Sequence, residues 1–190
     1  MPTMASSKRE QVLTCARELF EREGFHATGV DRILERAGVA KMTLYNNFGS
    51  KDQLIEEVLH ESSLLMMARI KKYALEASSD SYEQILAIFK ALGEWYADPE
   101  FCGCMFQAAV AEFPDHDTGP AQAALAHHQR LTAIFAELCT NAQLSEPEQL
   151  SRKLALLASG ASCVARQAKC RIPADDAYQI AEILIERASK

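Results

Sequence analysis

VAKMTLYNNFGSK, residues 39–51, sets Leu44 and Phe48 four positions apart, so on a helix the two side chains point the same way. Lys41, Met42, Thr43, Tyr45, Asn46 and Asn47 then fall mainly on the opposite side. A short helix that offers water one cation, several amides and hydroxyls and one phenol is poorly built for burial. It is well suited to a nucleic-acid groove. Just upstream, TGVDRILERAG (residues 28–38) aligns Val30, Ile33, Leu34 and Ala37 on one face, and Gly38 can take the left-handed conformation that ends a helix. Two short helices joined through a glycine, the second polar outside, make a helix-turn-helix.

Downstream, Ser50 can cap the next helix and Gln53 can reach back, which is a capping box. Lys51 sits in the first turn, where the helix dipole prefers acids. That placement makes sense beside backbone amides on a phosphate. At the other end, Ser7 and Glu10 form a second capping box before a stripe of Val12, Ala16, Leu19 and Phe20 that stops at Gly24. Residues 1–6 read as a polar arm without a cluster of Arg or Lys.

A fourth helix is expected over 51–77, about 40 Å long. After Ser78-Ser79-Asp80, Ser81 with Gln84 can cap a fifth helix that ends near Asp98-Pro99. FCGCMFQAAVAEF (residues 101–113) reads as a buried sixth helix, and residues 114–120 as a loop. Helical spacing resumes over 121–140. Ser145-Glu146-Pro147-Glu148 opens an eighth helix with cap, proline and acid, reaching about Arg171, and Pro173 separates it from a last one. No stretch alternates with period two between turn signals. The expected fold is all-α with about nine helices: a three-helix reading head over 1–50 and a helical bundle over 51–190.

Charge follows the same division. Residues 1–51 hold eight Lys or Arg against six Asp or Glu, a net of +2; the remainder hold twelve against twenty, a net of −8, for −6 overall. A mild positive excess at one end of an acidic protein suits contact with a polyanion at that end. Lys8 and Arg9 are followed by an amphipathic helix rather than an apolar run, and charge-free stretches last only about a dozen residues, too short to span a bilayer. The sequence therefore reads as cytoplasmic, with no membrane partner, and its six cysteines as reduced thiols.

The run from Arg9 through Leu54 resembles the DNA-binding domain of the TetR/AcrR family of bacterial transcriptional regulators. The matching residues are Ala16, Leu19, Phe20, Gly24-Phe25, Thr28, Val30, Ile33, Ala37-Gly38-Val39, Leu44-Tyr45-Asn46-Asn47-Phe48, Lys51 and Leu54, in about a quarter of the chain. One departure is Ala40, where the family often has a capping serine; an alanine there forfeits about 1 kcal/mol. The resemblance implies sequence-specific binding of double-stranded operator DNA by a homodimer, most often a repressor released from a palindrome by a small-molecule effector. Tyr45, Lys51 and Thr28 would contact phosphate. Lys41, Met42, Thr43, Asn46 and Asn47 would reach base edges or adjacent phosphates.

The last two long helices are rich in small residues, with apolar content on two faces. The resemblance implies that they pair with their symmetry mates, placing Leu154, Ala158, Ala161, Ala165, Ala181 and Leu184 in a dimer interface. Met67, Trp95, Tyr96, Phe106, Gln107, Phe113, His128 and Phe135 have the makeup of a small-molecule pocket. Ordinary core accounts equally well for any one of them; the resemblance favours the pocket for the set.

A rival class, thiol-based redox or metal sensing on the same scaffold, would use Cys102 and Cys104. Buried free cysteines usually act as small hydrophobes, and a zinc site would need further ligands. His127 and His128 are adjacent, so they point to different faces of a helix. No metal or cofactor is therefore expected. No phosphate loop, HExxH or nucleophile elbow occurs, and no enzymatic activity is expected.

Overall fold

The computed structural model describes residues 7–189; the polar arm expected at 1–6 lies outside the described residues. Ser7 Oγ accepts from the Glu10 N–H at 3.2 Å and Glu10 Oε2 accepts from the Ser7 N–H at 2.8 Å, so the expected capping box opens α1 (Lys8–Glu23). α2 (Val30–Ala37) stops at Gly38, whose φ of 64° is left-handed; the Val39 N–H then reaches back to the Leu34 carbonyl at 3.2 Å. α3 (Lys41–Phe48) and α4 (Lys51–Ala77) follow at once. Of the box expected before α4, the structure shows the forward half, Gln53 N–H to Ser50 Oγ at 3.1 Å. Five more helices complete the described residues: α5 (Ser81–Tyr96), α6 (Met105–Glu112), α7 (Gly119–Asn141), α8 (Pro147–Ala168) and α9 (Ile172–Ala188). Among those residues there is no strand.

The chain forms two compact units. The first holds the described residues up to Ser63 together with Met105–Leu125; the second holds Leu64–Cys104 and the described residues from Ala126 onward. In the first, Phe20, Phe25, Ile33, Leu44, Leu54 and Leu59 are fully buried, and the Phe20 and Phe25 rings lie 5.1 Å apart. Ion pairs lock the helices together at the rim. Arg32 and Arg36 on α2 bind Glu23 and Glu18 on α1. Arg9 pairs with Glu57 of α4 while its guanidinium lies 5.4 Å from the Phe48 ring of α3. Three of the eight Lys and Arg in residues 1–51, Arg9, Arg32 and Arg36, are therefore engaged in pairing these helices.

In the second unit, Ile85, Phe89, Phe135, Leu154 and Ile185 are buried together, with the Phe89 and Phe135 rings stacked at 5.8 Å. α5 and α9 approach closely where Gly93 faces Ala174: a Cβ built on Gly93 would lie 3.4 Å from the alanine Cβ.

Four boundaries differ from expectation, each for a local reason. The helix expected over 101–113 is confined to Met105–Glu112, because Gly103 takes φ 103° and breaks the turn. Asp80, not Ser81, caps α5, accepting from the Tyr82 N–H at 2.9 Å; a carboxylate is the stronger acceptor at a helix start. At α8 the proline and acid stand in the first turn as expected, but the preceding residue, Glu146, makes no side-chain cap. Ser145 instead donates its N–H to the Ala188 carbonyl at 2.8 Å. α8 ends at Ala168 rather than near Arg171, with Lys169 left-handed at φ 47°.

Candidate nucleic-acid interface

α3 is held to the head by two side chains, Leu44 and Phe48, both buried. Its start is bare: Ala40 makes no side-chain cap, and the first closing bond runs from the Thr43 N–H to the Ala40 carbonyl at 2.9 Å. Lys41, Met42, Tyr45 and Asn46, all exposed, share one side, as helical spacing requires. Thr43 and Asn47 occupy the adjoining side, where Asn47 Nδ2 donates to the Thr43 carbonyl at 2.6 Å and keeps its own oxygen as an acceptor. Lys41 lies 3.6 Å from Asp31, a loose contact between two exposed groups that an anion can displace. Lys51, half-buried, stands beside Ser50 at the first turn of α4.

Thr28 does not join them. Its side chain is fully buried, and its hydroxyl donates to the Gly24 carbonyl at 2.7 Å, closing the end of α1. The phosphate contact expected of this side chain is corrected: the hydroxyl is consumed inside the fold.

One residue of the head could not be expected from the sequence. Glu112, the last residue of α6, accepts from the Phe25 N–H at 3.1 Å, the His26 N–H at 2.6 Å and lies 3.0 Å from His26 Nδ1. Phe113 follows it onto the same turn, its ring 5.8 Å from Phe25 and 4.9 Å from His26. The turn between α1 and α2 is thus clamped by a segment more than eighty residues away. Burial alone would raise the Glu112 carboxyl, but the bonds from the His26 and Phe25 amides and the His26 ring outweigh it and hold the carboxyl below its usual range. A carboxyl lowered on folding stabilises above its unfolded value, and that contribution fades as pH falls through the lowered one. Glu112→Ala is expected to weaken the clamp by about 2 kcal/mol, discounted for partial exposure. Amide exchange at Phe25 and His26 should then accelerate by roughly thirtyfold; an unchanged rate would show the clamp to be passive.

The pocket candidates do not gather in one unit. Phe106, Gln107 and Phe113 belong to the first, and Met67, Trp95, Tyr96, His128 and Phe135 to the second. Within the second, Trp95 and Tyr96 pack on Phe101 at 4.9 and 5.1 Å, and Met67 and Phe135 are buried in the core. His128 is exposed; the neighbouring His127 is the histidine that turns inward. Burial, reinforced by Arg130 and His128, lowers the His127 ring to about 4 from 6.5. Folded, it stays neutral while the unfolded ring takes up a proton, so its contribution is complete above about pH 6.5 and is lost as pH falls toward 4. From pH 7 to pH 5 the protein is expected to lose about 2 kcal/mol through this ring. Urea midpoints at the two pH values check it, with His127→Leu predicted to show the shallower dependence.

The dimer candidates are corrected in part. Leu154, Ala158, Ala165 and Ala181 are buried within the single chain, so they have no surface to give a second copy. Small residues there let helices of one chain approach closely. Ala161 and Leu184 border an open apolar groove of about 650 Å³ along α8 and α9, with Leu156, Gly160, Val164 and Ile180. Cys102 is exposed and Cys104 half-buried on the non-helical stretch before α6. Among the described residues no group of three or more His, Cys, Asp or Glu could hold a metal ion, and no helix is long and apolar enough to cross a membrane.

Residues 12–58 match the family model of bacterial regulatory proteins of the tetR family. The chain is similar over 185 residues, 95% of each protein, to the HTH-type transcriptional regulator YjdC of Escherichia coli, at 26% identity. It is 36% identical over 84 residues, 44% of this chain and 38% of the other, to the HTH-type transcriptional activator FasR of Mycolicibacterium smegmatis. Its fold superposes on SCO4454, a TetR-family transcriptional regulator from Streptomyces coelicolor, with a TM-score of 0.87 and 28% identity, covering 96% of each chain. The helix-turn-helix matches the tetR family model, and the chain has the fold of a TetR-family transcriptional regulator. It is a DNA-binding transcriptional regulator and not an enzyme.

Proposed function

We propose that this regulator is a cytoplasmic homodimer that represses transcription from a palindromic operator and is released by a small-molecule effector. Residues 1–50 would read DNA, and 51–190 would dimerise and take the effector. The carrying observation is α3, fixed by Leu44 and Phe48 and presenting Lys41, Met42, Tyr45 and Asn46 outward. The apolar α8–α9 groove supports the dimer, which sets two reading helices against successive major grooves about 34 Å apart. An effector site is proposed among Met67, Trp95, Tyr96 and Phe135, where entry requires aromatic packing to part.

Selection from a random duplex pool, followed by footprinting, tests the first half: two inverted half-sites one helical turn apart are expected. Deleting the gene tests the sign of regulation, which the name of the similar activator FasR keeps open; increased transcription of the bound promoter marks a repressor. The effector must obey reciprocity: a compound that weakens operator binding a hundredfold, about 2.7 kcal/mol, must itself bind a hundredfold more weakly to the operator complex. Ligand-induced melting with and without the selected duplex measures both sides.

A further inference from the structure

We infer that Met42 reads the C5-methyl group of a thymine in the major groove. The inference rests on the reading of α3 as the groove-facing helix, and deepens it. Lys41, Thr43, Tyr45, Asn46 and Asn47 all carry groups that donate or accept hydrogen bonds. Met42 differs: its thioether is at best a weak acceptor, yet the residue is 67% exposed in the first turn of α3. It shares that end with the exposed Ala40, which makes no side-chain cap. The leading tip of the helix therefore carries two apolar side chains beside Lys41, although the remaining outer surface is polar. In a helix-turn-helix the first residues of the second helix are those that meet base edges.

The chemistry narrows the partner. Base edges in the major groove present ring nitrogens, carbonyl oxygens and amino groups, and one apolar feature, the thymine methyl. A methionine set against an amino group or carbonyl would strip its water without replacing the hydrogen bond, which disfavours those bases. Against a methyl it loses nothing polar, and its unbranched chain can adjust to the groove. Met42 thus specifies thymine by contact and excludes the other bases by desolvation.

The test uses the duplex that the full-length protein itself selects from a random pool. Each thymine is replaced in turn by deoxyuridine, which lacks only the methyl. Wild type is expected to lose about three- to tenfold in affinity at one symmetry-related thymine per half-site, the worth of one buried methyl contact. Met42→Ala is expected to bind the parent duplex more weakly by a similar factor and to show no further loss at that position. Its thermal melting, without DNA, should match wild type because the side chain is exposed. A flat deoxyuridine scan in wild type overturns the inference, as does a penalty that persists undiminished in Met42→Ala. Selection of no sequence at all overturns the groove-reading role of α3 and this inference with it, so the two failures are distinguishable.

Discussion

Operator affinity is expected to fall by about three to five decades between 50 and 200 mM salt, the response of a dimer making roughly 6–10 phosphate contacts. The two proposed phosphate contacts should separate within that response. Lys51→Ala removes one cation from each protomer, so two phosphates per operator lose their partner. The plot of log affinity against log salt should become shallower by about 1.8, at about 0.9 per contact. Tyr45→Ala removes a neutral hydroxyl on the exposed side of α3; it should weaken binding to every sequence and leave the slope nearly unchanged. Asn46→Ala should instead alter preference among operators, because an amide reads base edges. Fluorescence anisotropy across a salt series measures all three. If Tyr45→Ala/Lys51→Ala bound the selected duplex as tightly as wild type at every salt concentration, α3 and the start of α4 would not be the phosphate-facing surface.

Those residues were readable from the sequence because their placement is decided locally. Leu44 and Phe48 fix the phase of α3, and once the inner side is known the outer one follows. The capping box at Ser7 and the full length of α4 were readable for the same reason: each depends on residues within a few positions of one another. Thr28 failed at short range: it has the hydroxyl a phosphate contact needs, but the Gly24 carbonyl four residues back claims it. The other misses depended on contacts remote in sequence. Glu112 is the one charge in the run from Phe101 to Phe113, and its partners at Phe25 and His26 are fixed by tertiary structure. His127 and His128 differ by one position, and the phase of α7 against its neighbours, which no local signal sets, decides which turns inward. In α8 the ambiguity was of another kind. Two apolar faces were evident, but not which would be used within one chain. Leu154, Ala158 and Ala165 went to the interior, leaving Leu156, Gly160 and Val164 outside.

That exchange of faces gives the second large expected effect: Gly160→Arg should yield a well-folded monomer. Gly160 lies on the outer side of α8, and a Cβ built there meets nothing within 4 Å. A glycine in a helix interior is less favourable than arginine by up to about 1 kcal/mol, so the isolated chain should melt no earlier and slightly later than wild type. In the proposed dimer the same guanidinium is pressed among Leu156, Leu157, Val164 and Ile180 with no acid opposite it in its own groove lining except Asp176. An unpaired buried charge costs about 3–5 kcal/mol, and twofold symmetry imposes it twice. Even half of that total raises the dimer dissociation constant by about two to three decades. Sedimentation equilibrium should therefore find monomer at concentrations where wild type is dimeric, and operator affinity should fall with it because one reading head alone contacts one half-site. Ala158→Arg provides the contrast: Ala158 is buried within the single chain, so that variant should lose its fold rather than its partner. A Gly160→Arg protein that stays dimeric at wild-type strength would place the interface on another surface and leave the α8–α9 groove without its proposed occupant.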